Sequence, residues 1–164
     1  MAAKNLDTEV VPARSTQHAT FVVERTYDAT PAQVFSAWAE PAAKAHWFAG
    51  SDESKLLKRE MDFRVGGREC VVGKWSNDVV TSFESLYQDI VPNQRIVYSY
   101  DMHQDDKRIS VSLATIEFKP EGAGTRLIIT EQGAFLDDYD DAGSREAGTR
   151  WLLEKIEVAL RKNA

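Results

Sequence analysis

Six short runs of β-branched and aromatic residues follow one another between residues 60 and 133, and this block most constrains the fold. Polar or glycine-containing turn signals separate the runs, and the connections are mostly of hairpin length. Strands joined by hairpins pair in antiparallel order, so the block predicts an antiparallel meander. The six predicted strands cover residues 61–65, 68–73, 79–90, 95–102, 109–119 and 125–132.

A further strand and two short helices are predicted before the meander. Residues 20–27 are rich in β-branched and aromatic side chains, which is typical of a strand. Thr30 can cap a helix and Pro31 suits its first position, so a short helix is expected at residues 31–38. A second short helical turn is expected at residues 42–45, after a proline that interrupts the first.

The period of the apolar residues changes in the last segment. Residues 144–162 predict a long amphipathic helix, with Ser144 as its cap and two basic residues in its last turn. Its apolar residues are Ala147, Trp151, Leu152, Leu153, Ile156, Val158, Ala159 and Leu160. One sheet and one long helix must bury their apolar faces together. We therefore expect an α+β protein in which a curved antiparallel sheet of about seven strands surrounds the helix and encloses a cavity.

Length, charge and cysteine content narrow the function. The chain has 164 residues and a net charge of -6, which disfavours nucleic acid and anionic membranes as partners. No run approaches the roughly 20 apolar residues that span a bilayer, and no secretory signal is recognisable. The single cysteine, Cys70, cannot form an internal disulfide, which fits a cytoplasmic protein. Residues 1–17 are expected to form a flexible arm before one domain at residues 18–164.

Four segments of the chain carry a resemblance to a known family. They are Val34-Phe35-Ser36-Ala37-Trp38 with Pro41 and His46-Trp47-Phe48; residues 63–68; residues 89–98; and residues 116–127. In this order and spacing they resemble the SRPBCC superfamily, which has the helix-grip, or START-like, fold. They are most similar to the family named after the activator of the heat-shock-protein-90 ATPase.

The resemblance extends over residues 19–160 and implies a helix-grip fold with a ligand cavity. The functions that it implies range from binding modules to cyclases and self-resistance proteins. The eukaryotic chaperone activator has an additional N-terminal domain for which we expect no counterpart here, so we do not expect its chaperone role to carry over. Members often have Gly-Trp at the start of the last helix, whereas Gly148 is followed here by Thr149, and the tryptophan is Trp151.

Strand alternation places several candidate site residues at one edge of the sheet. Tyr98, Tyr100 and Met102 share a face of one strand, and Glu131 points inward from the last strand. An aromatic pocket with one carboxylate is typical of small-molecule sites. The candidate ligand-binding residues are Trp38, Trp47, Phe48, Tyr98, Tyr100, Met102, Glu131, Gly133 and Trp151. The aromatic ones could equally be plain core.

Glu131 is the candidate best suited to orient a ligand or to transfer a proton. As a buried carboxylate with a raised pKa it could orient a ligand or act as a base. Alternatively, it could reach water or pair with an arginine, since a glutamate is seldom buried alone. His46 could be a second acid or base, or simply a surface residue.

Other chemistries find little support in the sequence. Three scattered histidines and one cysteine offer no metal-ligand spacing, and the acidic run at residues 137–141 lacks the glycine and final glutamate of a calcium loop. That run is more typical of a solvated lid. There is no nucleophile elbow and no phosphate-binding glycine motif, so we expect neither a metal nor a cofactor.

Three functions stay open at this point. The first is non-catalytic binding of a small hydrophobic or aromatic molecule. The second is a cyclase or dehydratase that uses Glu131 with Tyr100 or His46. The third is a protein-interaction module, for example a chaperone co-factor or stress protein, which an exposed apolar patch on the convex sheet face would favour. The chain could be a monomer, or a homodimer through a sheet edge.

Overall fold

One antiparallel sheet and three helices make up this computed structural model, which describes residues 11–49 and 53–162. In chain order the elements are β1 (Thr16–Tyr27), α1 (Pro31–Ala39), α2 (Pro41–Lys44), β2 (Ser54–Met61), β3 (Arg68–Trp75), β4 (Val80–Val91), β5 (Arg95–Gln104), β6 (Lys107–Glu121), β7 (Gly124–Leu136) and α3 (Ala142–Lys162). The strand order is β1-β7-β6-β5-β4-β3-β2, with every neighbouring pair antiparallel. The predicted α+β helix-grip fold is confirmed.

The two short helices close one end of the sheet. Thr30 and Gln33 form a capping box at the start of α1, because each side chain bonds the other residue's backbone N–H. α1 buries Val34, Phe35 and Trp38. The indole Nε1 of Trp47, just after α2, donates to the carbonyl of Ala37 at 2.8 Å. This bond ties the second helical turn to the first.

The core lies between the inner face of the sheet and one side of α3. Ile116 and Leu127 on β6 and β7 are fully buried, as are Leu153 and Ile156 on the helix. Each such side chain contributes about 1.5–3 kcal/mol of burial free energy, relative to full exposure. The Tyr27 hydroxyl of β1 donates to the Leu153 carbonyl at 2.8 Å, which fastens the first strand to the middle of α3.

Most element bounds agree with the prediction to within a few residues, but the predicted strand at residues 61–65 is wrong. β2 covers Ser54–Met61, and residues 62–67 form the turn into β3. Gly66 has φ +82°, and a Cβ on Gly67 would lie 2.0 Å from the carbonyl oxygen of Asp62. The two glycines are needed for this close turn, which leaves no room for a strand there.

The first strand and the start of α3 also differ from the prediction. β1 begins at Thr16, which pairs with Leu136, so residues 16 and 17 of the expected arm belong to the sheet. Residues 1–10 of that arm lie outside the described residues. α3 begins at Ala142, and Asp141 rather than Ser144 caps it. The Asp141 carboxylate accepts from the backbone N–H and from the hydroxyl of Ser144, both at 2.8 Å.

α3 is the longest helix, and its exposed side carries charged residues over its whole length. In the described part of the chain, no helix combines the length and the apolar character needed to cross a bilayer.

Candidate functional site

A cavity of ≈330 Å³ lies between the inner face of the sheet, the two short helices and α3. This volume is within the range of small-molecule sites in proteins. The residues that border it include Trp38, Trp47, Phe48, Leu56, Trp75, Phe83, Tyr98, Tyr100, Met102, Ala114, Glu131, Asp140, Arg145, Gly148, Trp151 and Leu152. Eight of the nine predicted site residues are therefore brought together around one space.

Gly133 is the predicted residue that does not border this cavity. The direction of its missing Cβ is occupied by the Phe135 ring at 3.0 Å and by the Ser112 hydroxyl at 3.1 Å. The alternation that places Glu131 inward also places Gly133 inward, but the space in front of it is already filled. Gly133 therefore lies against packed side chains outside this cavity, and its role in ligand binding stays a prediction.

Five of the aromatic residues that border the cavity form an aromatic wall: Trp38, Trp47, Phe48, Phe83 and Tyr98. Its rings pack edge to face, with centroid distances of 4.7 Å for Trp38–Trp47, 5.6 Å for Trp47–Phe48 and 4.9 Å for Phe48–Phe83. Such pairs are worth about 0.5–1.5 kcal/mol each beyond their buried area. The wall is thus held by its own contacts and presents ring surfaces to any occupant.

Sequence reasoning missed Phe83, although a signal for it existed. Phe83 in β4 pairs with Met102 in β5, and its ring lies 4.9 Å from that of Tyr100. Residues directly opposite in neighbouring strands face the same side of a sheet. The assignment of Met102 to the cavity would therefore have identified Phe83, had the register of the two strands been known.

The polar end of the cavity is formed by Tyr100, Glu131, Asp140 and Arg145. Glu131 is only 3% exposed, and its Oε1 accepts a short hydrogen bond from the Tyr100 hydroxyl. Arg145 Nη1 donates to that hydroxyl at 2.9 Å and lies 3.9 Å from Oε1 of Glu131. Arg145 Nη2 donates to Asp140 and to the Ser110 hydroxyl, each at 2.7 Å. The prediction that Glu131 points inward agrees with this arrangement.

Burial and the neighbouring groups act on these ionisable groups in opposite directions. Burial raises the pKa of Glu131, while the Tyr100 hydrogen bond and the charge of Arg145 oppose the rise. Burial also raises the pKa of Tyr100, so its phenol stays protonated and donates. Burial disfavours the charge of Arg145, but the adjacent acidic groups raise its pKa overall. Chemically, the polar end can exchange hydrogen bonds with a ligand through a carboxylate, a phenol and a guanidinium.

A second buried ion pair supports the aromatic wall from behind. Lys44 Nζ lies 2.7 Å from Glu69 Oε2, and both side chains are almost completely buried. The Tyr87 hydroxyl donates to the same carboxylate oxygen at 2.7 Å. The ammonium group is 4.6 Å from the ring centroid of Phe48 and 5.5 Å from that of Trp38, within cation–π range. Burial lowers the pKa of Lys44, and the charge of Glu69 opposes that shift.

The mouth of the cavity is lined by half-exposed apolar side chains. Leu56 is 46% exposed, Trp75 is 37% exposed and Trp151 is 48% exposed. The Lys155 ammonium lies 4.4 Å from the Trp151 ring. The helical period of α3 placed Trp151 on the buried stripe, but the fully buried residues of α3 are Leu153 and Ile156. Trp151 therefore belongs to the rim of the cavity and not to its interior.

Several other candidates lie away from the cavity. His46 is exposed and borders a separate shallow depression beside the end of α3. Cys70 is half-buried, and burial raises the pKa of its thiol. In the described ranges no group of three or more His, Cys, Asp and Glu residues is placed to hold a metal ion.

The acidic run at residues 137–141 does more than the solvated lid that its composition suggested. Asp140 bonds Arg145 at the polar end, and Asp141 caps α3. Asp137 accepts from Arg14 at 2.8 Å and from the backbone of Ser15 at 2.9 Å. These bonds fasten the run to the chain before β1 and to the helix.

Comparisons with known proteins agree with this architecture. The sequence profile described as Activator of Hsp90 ATPase homolog 1-like protein matches residues 28–161, a range that contains all four segments of the resemblance. The chain is similar to a solved Rhizobium leguminosarum protein, with 42% identity, TM-score 0.88 and coverage of 92% of this chain and 99% of that chain. It is also similar to Mll3558 of Rhizobium loti, with 43% identity, TM-score 0.83 and coverage of 88% and 99%.

A more distant match concerns the fold alone. It is the AHSA1-like protein of Aeromonas hydrophila, with 18% identity, TM-score 0.66 and coverage of 88% of this chain and 94% of that chain. No curated protein sequence matches the chain. The profile match confirms the resemblance read from the four segments.

Proposed function

Because the chain belongs to the Activator of Hsp90 ATPase homolog 1-like family, we propose that it uses the cavity to bind a small hydrophobic or aromatic molecule without chemical change. The fold of this family often binds hydrophobic ligands. The observation that carries the proposal is the cavity of ≈330 Å³ with its aromatic wall and its single polar end. A cytoplasmic location remains a prediction from the sequence.

The energetics favour an apolar occupant. Transfer of an apolar molecule from water to such a surface gains about 25 cal/mol per Å² of buried area. The rings of the aromatic wall already pack against one another, as their centroid distances of 4.7 to 5.6 Å indicate, so little ordering of side chains is needed on binding. The half-exposed rim of Leu56, Trp75 and Trp151 supplies an apolar entrance.

The proposal can be tested with an optical signal that the chain already has. All four tryptophans, Trp38, Trp47, Trp75 and Trp151, border the cavity. Titration with N-phenyl-1-naphthylamine, a neutral apolar fluorophore, is expected to quench tryptophan emission by energy transfer while the probe emission rises. Saturation at one probe per chain would support the proposal.

Gly148 provides a blocking variant with a matched control. It borders the cavity from α3, and a Cβ at this position meets no other atom within 4 Å. Gly148→Phe is expected to occupy that open space and to weaken probe binding at least tenfold. Gly148→Ala is the control, because it adds one methyl group, leaves the cavity open and favours the helix by up to about 1 kcal/mol. Equal probe affinity of Gly148→Phe and Gly148→Ala would contradict the proposed binding site.

The catalytic alternative has weaker support. Glu131 and Tyr100 are hydrogen-bonded to each other, which suits a positioned acid–base pair. However, His46, the other candidate base, lies outside the cavity. A single carboxylate that is held by a phenol and lies near a guanidinium is better suited to orienting a ligand than to cycling protons.

An interaction module is a second candidate, because the convex face of the sheet exposes apolar residues. Val22 on β1 is 47% exposed, and Val111 and Leu113 on β6 are 45% and 39% exposed. The register places them on the same outer side of the sheet, on the two strands that flank β7. If this patch binds a chaperone or a second copy, Leu113→Lys should abolish complex formation in size-exclusion chromatography with purified partners. Identical elution of the wild type and the variant would contradict this role.

A further inference from the structure

The Glu131 carboxylate at the polar end of the cavity has acceptor sites that the protein does not fill. Glu131 Oε1 accepts from Tyr100, and the Ser112 hydroxyl also acts on this carboxylate as a donor that lowers its pKa. A carboxylate has about four lone-pair sites, so these two donors leave acceptor sites open. Glu131 borders the cavity and is 3% exposed overall. Burying a carboxylate with acceptor sites unfilled is costly, so Glu131 favours an occupant that supplies an O–H or N–H group.

The phenol of Tyr100 and the guanidinium of Arg145, in contrast, direct their donors at the protein. The Tyr100 hydrogen is given to Glu131, and Arg145 donates to Tyr100, Ser110 and Asp140. The charges at the polar end are two carboxylates, Glu131 and Asp140, and one guanidinium. An anionic ligand would therefore meet net negative charge and donors that are already engaged.

Resting on the function proposed above, we propose that the ligand is a neutral aromatic alcohol or phenol whose hydroxyl donates to Glu131 while its rings contact the aromatic wall. The hydroxyl is preferred over a charged amine because an apolar cavity penalises the desolvation of a charge. It is preferred over a carboxylate because of the charge balance at the polar end. The aromatic ligand thus enters with a defined orientation, its polar group innermost and its apolar edge toward the rim.

Three compounds that share one ring system compare a neutral donor with a neutral non-donor and with an anion. They are 2-naphthol, which is neutral and has a donor; 2-methoxynaphthalene, which is neutral and has none; and 2-naphthoate, which is an anion. Isothermal titration calorimetry at pH 7.5 is expected to rank their affinities in that order. A hydrogen bond to a charged acceptor corresponds to a preference on the order of 10-fold or more for 2-naphthol over 2-methoxynaphthalene.

Two variants assign the preference to Glu131. Glu131→Met removes the acceptor, and the advantage of 2-naphthol over 2-methoxynaphthalene is expected to vanish. Asp140→Asn is the matched control: it removes the same charge from the polar end but leaves the Glu131 carboxylate in place. This control is expected to retain the advantage of 2-naphthol and to bind 2-naphthoate more tightly than the wild type does.

The outcomes distinguish this inference from the function on which it rests. Equal affinities for 2-naphthol and 2-methoxynaphthalene, or tightest binding of 2-naphthoate, would overturn the inference and leave hydrophobic binding intact. An absence of heat and of competition with N-phenyl-1-naphthylamine for all three compounds would overturn both. If Glu131→Met does not fold, the inference is tested by the ratio of the affinities for 2-naphthol and 2-methoxynaphthalene, measured in the wild-type protein and in Asp140→Asn.

Discussion

The buried ion pair of Lys44 and Glu69 allows a specific prediction about the free energy of unfolding. Their charged atoms are 2.7 Å apart, and their side chains are 3% and 1% exposed. At an effective dielectric constant of about 20, the attraction at this distance is about 6 kcal/mol. Withdrawing each ion from water costs several kcal/mol, so the pair is close to neutral overall. Removing one partner alone, however, leaves the other charge buried without compensation.

Lys44→Met is therefore expected to lower the free energy of unfolding by about 3–5 kcal/mol. Glu69→Gln removes the other charge but keeps an acceptor for the Tyr87 hydroxyl, and a loss of similar size is expected. The double variant contains no buried charge at this place. We expect it to be more stable than Lys44→Met by about 2 kcal/mol, a coupling typical of residues in direct contact.

Urea denaturation followed by tryptophan fluorescence at neutral pH measures all three variants. Lys58→Met is the matched control, since Lys58 Nζ lies 3.6 Å from Glu60 on the surface of β2, with both side chains at least half exposed. Its effect should stay below about 1 kcal/mol. A loss of unfolding free energy for Lys44→Met as small as that for Lys58→Met would contradict this prediction. A double variant no more stable than Lys44→Met would contradict it as well.

Four further predictions concern the helix cap, the rim, the packed glycine and the buried carboxylate. Thr30→Ala removes one half of the capping box of α1 and should cost about 1 kcal/mol by urea denaturation; an unchanged midpoint would contradict the cap's role. Trp151→Ala should weaken N-phenyl-1-naphthylamine binding several-fold with little loss of stability, and a large drop in Tm with unchanged affinity would place Trp151 in the core instead. Gly133→Ala should lower the Tm, because its methyl group would lie 3.0 Å from the Phe135 ring, while probe affinity stays constant; an affinity change alone would restore Gly133 to the cavity. Because the folded-state pKa of Glu131 is raised above 4.5, the stability linked to its protonated form is fully present below pH 4.5 and is lost as pH rises through the folded pKa. The free energy of unfolding of the wild type relative to Glu131→Gln should therefore fall as pH increases over that range, and a rise would contradict the assignment.

The periodicity of the apolar residues was sufficient to predict the sheet and many of the residues that border the cavity. The alternation of apolar residues in β5 identified the buried face with Tyr98 and Tyr100, and the same rule placed Glu131 inward. These inferences succeeded because side-chain direction in a strand has a strict period of two. Gly133 follows the same rule in direction, but alternation does not say whether the space in front of a residue is empty or filled.

The buried charges could not be predicted in the same way. Nothing in the sequence singled out Arg145 or Lys44, because charged residues are rarely buried without a partner. Lys44 pairs with Glu69, 25 positions later in the chain, and Arg145 lies near Glu131 of β7 in addition to its bond with Asp140. Only the assembled fold brings these groups together, so neither pair produces a local pattern in the sequence.

The bounds of the elements depended on contacts that the local sequence does not contain. β1 begins four residues earlier than predicted because residues 16–19 pair with the far end of β7. Trp151 is spaced like a core residue of α3, but the helix contacts the sheet along a narrower stripe that includes Leu153 and Ile156. In both cases, contacts between distant parts of the chain determined the strand bound or the burial, which local propensity and periodicity did not predict.

The most direct test of binding in the cavity is a crystal structure of the protein with 2-naphthol. The account predicts ring density against the aromatic wall, with the naphthol oxygen within about 3.2 Å of a Glu131 carboxylate oxygen. A ring bound elsewhere on the surface, or a cavity closed by rearranged side chains at saturating ligand, would contradict it.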